Sequence, residues 1–309
     1  MQKDIHYYGT YAIARVAGLK PEDAQVIAYS AQFVDDSNMD DSFMHEDGGL
    51  LYGVATAHHP IKQVPKQYIS YRLNKIVNKI ISHKNIANLT QRRIWIPFHF
   101  YPGNEGSSLS EKLICRKNSL IVNEMFDNHI KHTKEFPYIL QLIGIASHIY
   151  MDTFSHYGFS GVSSRNNRVK SDSFQFNNTD KSMYNKKLNK FNKKHKKNNF
   201  LKNWRDDKSW KEKILIKLKS DIAEFGSGAL GHGAVATFPD RPYLNWSFTY
   251  ENRNETSKRN NPQTYLEGCE NLYLKLKRFA SLYYVNQTKN CDFSEVKNSI
   301  IDILSTKEE

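Results

Sequence analysis

The stretch Ile139-Leu-Gln-Leu-Ile-Gly-Ile-Ala-Ser-His-Ile-Tyr-Met-Asp-Thr-Phe-Ser-His156 is apolar over most of its length, yet it carries three ionisable groups. His148, Asp152 and His156 stand at positions i, i+4 and i+8. On a helix turning roughly 100° per residue, four residues advance a side chain by only about 40°, so all three share one sector over two turns. Burying three such groups on one helix face is costly unless they pair or hold a cation. Two imidazoles flanking a carboxylate form a metal-ligand pattern, and the nitrogen and oxygen donors favour zinc or a similar divalent ion. The plainer reading is two core histidines with a capping or salt-bridged aspartate.

The remaining sequence is dense enough in apolar residues to form a core: 39% hydrophobic and 13% aromatic over 309 residues. A formal charge of +12 suggests affinity for phosphate-bearing partners. Much of the excess lies in residues 161–206, rich in Lys, Asn and Ser. That segment reads first as a basic, flexible, solvated insertion, and second as a weak contact for nucleic acid or an anionic membrane. Cys115, Cys269 and Cys291 are odd in number and form no CxxC pair, which suggests a reducing compartment. The opening residues lack the apolar core of a signal peptide, and no run approaches the roughly 18 apolar residues that would cross a bilayer. A cytoplasmic location is the expectation.

The element order is expected to be all-α, a single metal-binding domain over 1–309 with long loops. Ile5, Tyr8, Ala12 and Val16 recur at helical spacing over 4–17 and stop at Gly18. Pro21, Glu22 and Asp23 open a second helix, with Pro tolerated at the first position and acids at the positive end of the dipole. That helix reaches about Val34, leaving Asp35 and Asp36 at the end that disfavours carboxylates; a cation would offset the cost. Residues 37–63 read as loop and 66–82 as a basic amphipathic helix. Residues 94–101 read as an edge strand or extended loop because Pro97 interrupts them. Further helices are expected over 110–132, 138–157, 207–225, 263–285 and 293–306.

Several other residues carry ligand chemistry. His6 lies in the first helix, and Asp35 and Asp36 close the second. His99 sits between bulky residues in Pro97-Phe-His-Phe-Tyr-Pro-Gly103. His232 is flanked by glycines that let the backbone approach a neighbour closely. His58 and His59 form a less certain loop pair, of which His59 is the stronger candidate. His83, His129, His132 and His195 stand among Lys and Asn and read as surface residues.

This arrangement resembles the zinc-dependent phospholipase C and single-strand nuclease superfamily, all-α hydrolases with a three-zinc cluster. The resemblance implies that His6 matches the first histidine, Asp35 or Asp36 the aspartate, and His99 the loop histidine. His148-x3-Asp152 matches the central pair, with Asp152 as the metal bridge, and His156 and His232 match the later histidines. Four residues after His232 stands Ala236 where the superfamily has an acid; the nearest carboxylate is Asp240 in the turn Pro239-Asp-Arg-Pro242. In that superfamily the N-terminal amine also binds metal, a role open to Met1. More narrowly, Gln2-Lys-Asp-Ile-His-Tyr-Tyr-Gly9, Ala31-Gln-Phe-Val-Asp-Asp36, Gly231-His-Gly-Ala234 and the Pro-Asp-Arg-Pro turn are similar to an uncharacterised bacterial family known only as a domain of unknown function.

Two or three Zn2+ ions are thus expected, with other divalent ions fitting the same donors. Such ions activate water and clamp the oxygens of an in-line phosphoryl displacement. Asp152 would bridge, Asp35 or Asp36 would ligate or serve as base, and Arg241 would clamp phosphate or else pair with Asp240. The expected activity is phosphoester hydrolysis on a nucleotide, nucleic acid or phospholipid head group. The alternative is a non-catalytic metal-binding protein serving as a structural or interaction module.

Overall fold

A computed structural model of the chain describes residues 3–38, 41–57, 90–170, 172–176, 229–284 and 291–306, without the side chains of 41–43 and 51–52. The expected helices over 66–82 and 207–225, together with His58, His59, His83, His195 and Met1, lie outside the described residues.

The chain begins with a wide π-helical turn, Asp4–Gly9, that runs directly into α1 (Thr10–Val16). Gly18, at φ 92°, ends the helix as its sequence implies. Pro21 opens α2 (Pro21–Asp36), with Glu22 and Asp23 in its first turn. A hairpin of β1 (Asp41–Met44) and β2 (Leu50–Gly53) follows inside the segment expected to be loop. Its base closes on the end of α2, where Thr56 N and Ala57 N both donate to Ser37 O at 2.9 and 2.8 Å.

Residues Gln91–His99 form a second π-helix, not an edge strand. A short apolar run such as Ile94-Trp-Ile-Pro-Phe cannot be told from a buried helical segment by its pattern alone. The helix expected over 110–132 is two: α3 (Leu109–Lys112) and α4 (Leu120–Lys131). Between them Cys115 and Ile114 pair in extended bridges with Pro102 and Ser160, and Ser119 restarts the helix by accepting Val122 N. The motif helix is α5 (Ile139–His156). Two helices close the chain, α6 (Asn261–Tyr283) and α7 (Phe293–Ser305), the second started by a capping box of Asp292 and Glu295.

The all-α expectation is overturned. Besides the hairpin, β3 (Gln175–Phe176), β4 (Asn245–Thr249) and β5 (Thr256–Asn260) form an antiparallel sheet in the order β3-β4-β5, so the architecture is mixed helix and strand. In β4 the inward side chains Trp246 and Phe248, continued by Tyr250, alternate with polar ones. β5 reads Thr-Ser-Lys-Arg-Asn and has no apolar alternation at all, which hid the pairing from a reading by hydrophobic period. Its one buried residue is Arg259, opposite Trp246 and 3% exposed. Arg259 donates to Ser155 O at 2.7 Å and to Tyr157 O, placing a cation on the carbonyl end of α5.

Two cores result. One is helical, from α1, α2, α4, α5, α6 and α7; the other is aromatic, with Phe100, Phe159, Phe174, Trp246 and Phe248 under the sheet. The start of the 161–206 segment belongs to the second core. Val169 is buried there, and Asn167 Nδ2 donates to the carbonyls of Ser160, Val162 and Ala229. Among the described residues no helix is long and apolar enough to cross a membrane.

Candidate metal centre

A tight contact between two helices assembles the site. Gly144 of α5 faces α2 so tightly that a Cβ there would lie 2.4 Å from Ile27 O and 2.6 Å from Ser30 Cβ. This approach brings the last turns of α2 onto His148 and Asp152, one turn and two turns further along α5. His148 Nδ1 donates to Ala31 O at 2.8 Å, and its Nε2 lies 3.9 Å from Asp35 Oδ1 and 3.3 Å from Asp152 Oδ2. The choice between Asp35 and Asp36 falls to Asp35: Asp36 is exposed on the far side and accepts from Gln32 Nε2 at 3.1 Å.

His6 and His99 complete this helical centre. His6 stacks on His148 with ring centroids 3.8 Å apart and points Nε2 at Asp152 Oδ1 (3.2 Å) and Asp35 Oδ2 (3.8 Å). His99 donates from Nε2 to Thr56 O at 2.7 Å and turns Nδ1 to Asp152 Oδ2 (3.2 Å), Asp35 Oδ1 (3.8 Å) and His148 Nε2 (3.4 Å). Both residues sit on π-helical turns, a rare geometry that recurs at functional sites.

A second group lies at the end of α5, the loop centre. His156 donates from Nδ1 to His99 O at 2.6 Å and points Nε2 at Asp240 Oδ1, 3.2 Å away. His232 donates from Nδ1 to Ala236 O at 2.7 Å and points Nε2 at Asp240 Oδ2, 3.6 Å away. Gly231, before His232, has φ 55°, and a Cβ there would lie 2.3 Å from the Phe100 ring. That ring stacks on His156 at 4.7 Å, so Gly231 does permit a close approach, to an aromatic wall of the site. Asp152 joins the two groups, since its Oδ2 also lies 3.5 Å from His156 Nδ1.

Of the residues singled out from sequence, the fold therefore brings together His6, Asp35, His99, His148, Asp152, His156 and His232. It leaves out Asp36, and His59 lies outside the described residues. Arg241 lays its guanidinium over the Phe238 ring at 5.6 Å, beside the loop centre. Asp240 is the residue that sequence reasoning passed over as a ligand. Its signal was present in the Pro-bounded turn, but no helical spacing ties position 240 to His232.

The electrostatics follow from burial. Burial opposes the charge on Asp152, and the imidazoles of His156 and His148 overcome it, holding the carboxyl well below its usual range. Asp240 and Asp35 are also depressed against their burial, with His232 and His156 contributing at the first and His148, His6 and His99 at the second. Burial drives His6 down to about 3, with His148 adding to the effect, and His232 down to about 4. His99 moves up, because the carboxylates of Asp152 and Asp35 outweigh its burial.

The tautomers make the donor set explicit. A carbonyl oxygen can only accept, so the ring nitrogens of His99, His148, His156 and His232 that face carbonyls carry their protons. In the neutral imidazole the opposite nitrogen is then a lone pair. Four such lone pairs point at carboxylate oxygens or at one another within 3.2–3.9 Å. Lone pairs converging in a buried site fit a cation between them, and a ring nitrogen fixed by a second partner is the usual support of a ligating histidine. Three ligand sets have donor atoms within 4.8 Å of one another: His6, Asp35 and His148; His99, His148 and Asp152; and His156, His232 and Asp240. Among the described residues, the buried Nδ1 of His6 has no hydrogen-bond partner. The residues present fit a divalent metal.

The chain belongs to a family of unknown function (DUF6765), whose model matches residues 1–309. No curated protein and no solved structure matches it.

Proposed function

We propose that this family member is a metal-dependent hydrolase of phosphoester bonds, with Zn2+ held by the helical and loop centres together. The observation carrying this reading is the set of four histidines whose carbonyl-bound tautomers aim lone pairs at Asp35, Asp152 and Asp240. Imidazole with carboxylate suits Zn2+, and Fe2+ and Ni2+ are its competitors for the same donors. His6, Asp35, His99 and His148 would hold metal on one side of Asp152, and His156, His232 and Asp240 on the other. The likeness to the zinc-dependent phospholipase C and nuclease superfamily belongs to this proposal. It rests on shared residue types in a shared order, now joined by the meeting of those residues in space.

Bound divalent ions supply a water acidic enough to act near neutral pH and positive charge for the oxygens of a phosphoryl group. The chain's own residues do the rest. Asp152, 1% exposed and touched by four imidazoles, fixes the two centres relative to each other. Ala31, Thr56, His99 and Ala236 hold the ligand tautomers through their carbonyls. Asp35 is the helical centre's route to solvent: its side chain is 27% exposed, against 0–6% for His6, His99 and His148. It can accept a proton from an incoming group at that edge. Closed shells mark structural zinc and an open edge marks catalytic zinc, so this exposure favours the enzyme over a purely structural centre.

The test is elemental analysis of the purified full chain, followed by hydrolysis of bis-p-nitrophenyl phosphate and p-nitrophenyl phosphate with and without chelator. Zinc in the protein and chelator-sensitive hydrolysis support the reading. A folded chain that takes up no divalent metal would overturn it.

A further inference from the structure

The loop that carries Asp240 has no regular structure of its own to hold it, yet the start of α6 grips its backbone at three points. Asn261, 4% exposed, donates from Nδ2 to Phe238 O at 2.9 Å and to Arg241 O at 2.7 Å. Tyr265, one turn later and fully buried, donates its hydroxyl to Pro239 O at 2.8 Å. Three carbonyls in four consecutive residues, those on either side of Asp240, are thus taken by two side chains of one helix. Asn261 is fixed in turn: its Oδ1 accepts from Trp246 Nε1 at 3.3 Å, and its backbone N–H donates to Leu244 O at 2.9 Å. An amide can hold two carbonyls and accept a third bond only in one orientation, so the clamp also sets the direction of the turn.

We infer that Asn261 and Tyr265 are positioning residues for the metal ligand Asp240, and that the loop centre depends on them while the helical centre does not. The inference rests on the metal reading above. Its physical content is a division of labour. Asp35, His148 and Asp152 are placed by two packed helices that need no such clamp. Asp240 is placed by hydrogen bonds from residues that touch neither metal nor substrate. Outer-shell partners of this kind change metal affinity on the order of 10–100-fold when removed.

The experiment is calorimetric titration of Zn2+ into the chelator-stripped full chain, for wild type, Asn261→Ala, Tyr265→Phe and His232→Ala. Asn261→Ala should take up one Zn2+ equivalent fewer than wild type, or bind it about 10–100-fold more weakly. It should then match His232→Ala, with the tighter uptake of the helical centre retained. Tyr265→Phe, which deletes only the bond to Pro239, should move the same step by a smaller factor. A merely structural weakening would lower both steps together, and that result overturns the inference, as does unchanged binding in both clamp variants. If Asn261→Ala does not fold, Tyr265→Phe decides alone, and an unmoved loop step overturns the inference. Wild type that binds no Zn2+ removes the premise itself, an outcome distinct from any difference among the variants.

Discussion

The helical centre and the loop centre use the same side chains but are built by different means. In the first, the candidate ligands ride on packed helices: Asp35 at the end of α2, His148 and Asp152 on α5, with Gly144 letting the two helices nearly touch. In the second, one ligand rides on α5 and the other two, His232 and Asp240, on an irregular loop steadied by α6. Helical placement is decided by packing that the whole domain must form to fold. Loop placement is decided by a few hydrogen bonds, each contributing about 0.5–1.5 kcal/mol. The loop centre should therefore be the one that can be removed while the fold survives.

The largest effect should come from the residue common to both. Asp152→Asn keeps the shape but removes a charge facing His6, His99, His148 and His156. Phosphodiester hydrolysis should fall to background, and elemental analysis should show metal lost from both centres. Retained metal with unchanged activity would break the comparison at its joint. Next is Gly144→Val, whose added carbons collide with Ile27 O and Ser30. Overpacking of that kind costs about 1–3 kcal/mol. Thermal denaturation should register that loss, and Zn2+ titration should show the helical step weakened more than the loop step. His232→Ala should do the reverse, removing the loop step with little change in melting temperature. Equal losses in the two variants would show that the centres are not separable.

The same contrast explains what the sequence disclosed. His148, Asp152 and His156 were legible because helical spacing puts them on one face, and Asp35 was suspect because a carboxylate at that helix end is disfavoured. Asp240 and the β4–β5 pairing were not legible, for one shared reason. Both depend on contacts between residues with no period to announce them: a Pro-bounded turn, and a strand whose one buried residue is an arginine. His99 was singled out as a candidate ligand although its local structure was misread, since a bulky apolar context marks burial whether the backbone is extended or π-helical. The all-α expectation followed from trusting the 3.6-residue pattern where it was strong and finding no alternating pattern where β5 has none.

Acid should act on both centres through one histidine in each. In the chelator-stripped chain His6 and His232 titrate in the unfolded state near 6.5 and in the folded state only near 3 and near 4. Between those limits the unfolded chain binds more protons, so stability rises with pH across the window and is lost as pH falls from about 6.5. Denaturant midpoints measured from pH 7 to pH 4 should decline, and His6→Gln should flatten the decline by its own share. His99, whose pKa moves up, acts in the opposite sense over the same window, so a slope that His6→Gln and His232→Ala both leave unchanged would mean that these two rings are not held neutral in the fold.

The smallest effect tests whether the loop centre stores strain. Ala236 sits at φ 48° and ψ −132°, a backbone region that costs a residue with a Cβ roughly 1–3 kcal/mol. Its carbonyl is the acceptor that fixes the His232 tautomer. Ala236→Gly relieves the strain, but it also frees the unfolded chain, an opposing term of about 0.5–1 kcal/mol. The net change should be between none and a stabilisation of about 2.5 kcal/mol, and the loop step of Zn2+ binding should hold, because the carbonyl direction is set by the turn and not by the methyl group. Ala236→Val, branched at Cβ and forced to the same positive φ, should destabilise the protein and weaken the loop step alone. If the glycine variant loses that step while gaining stability, the alanine is what keeps the carbonyl on His232, and strain at position 236 belongs to the centre's construction.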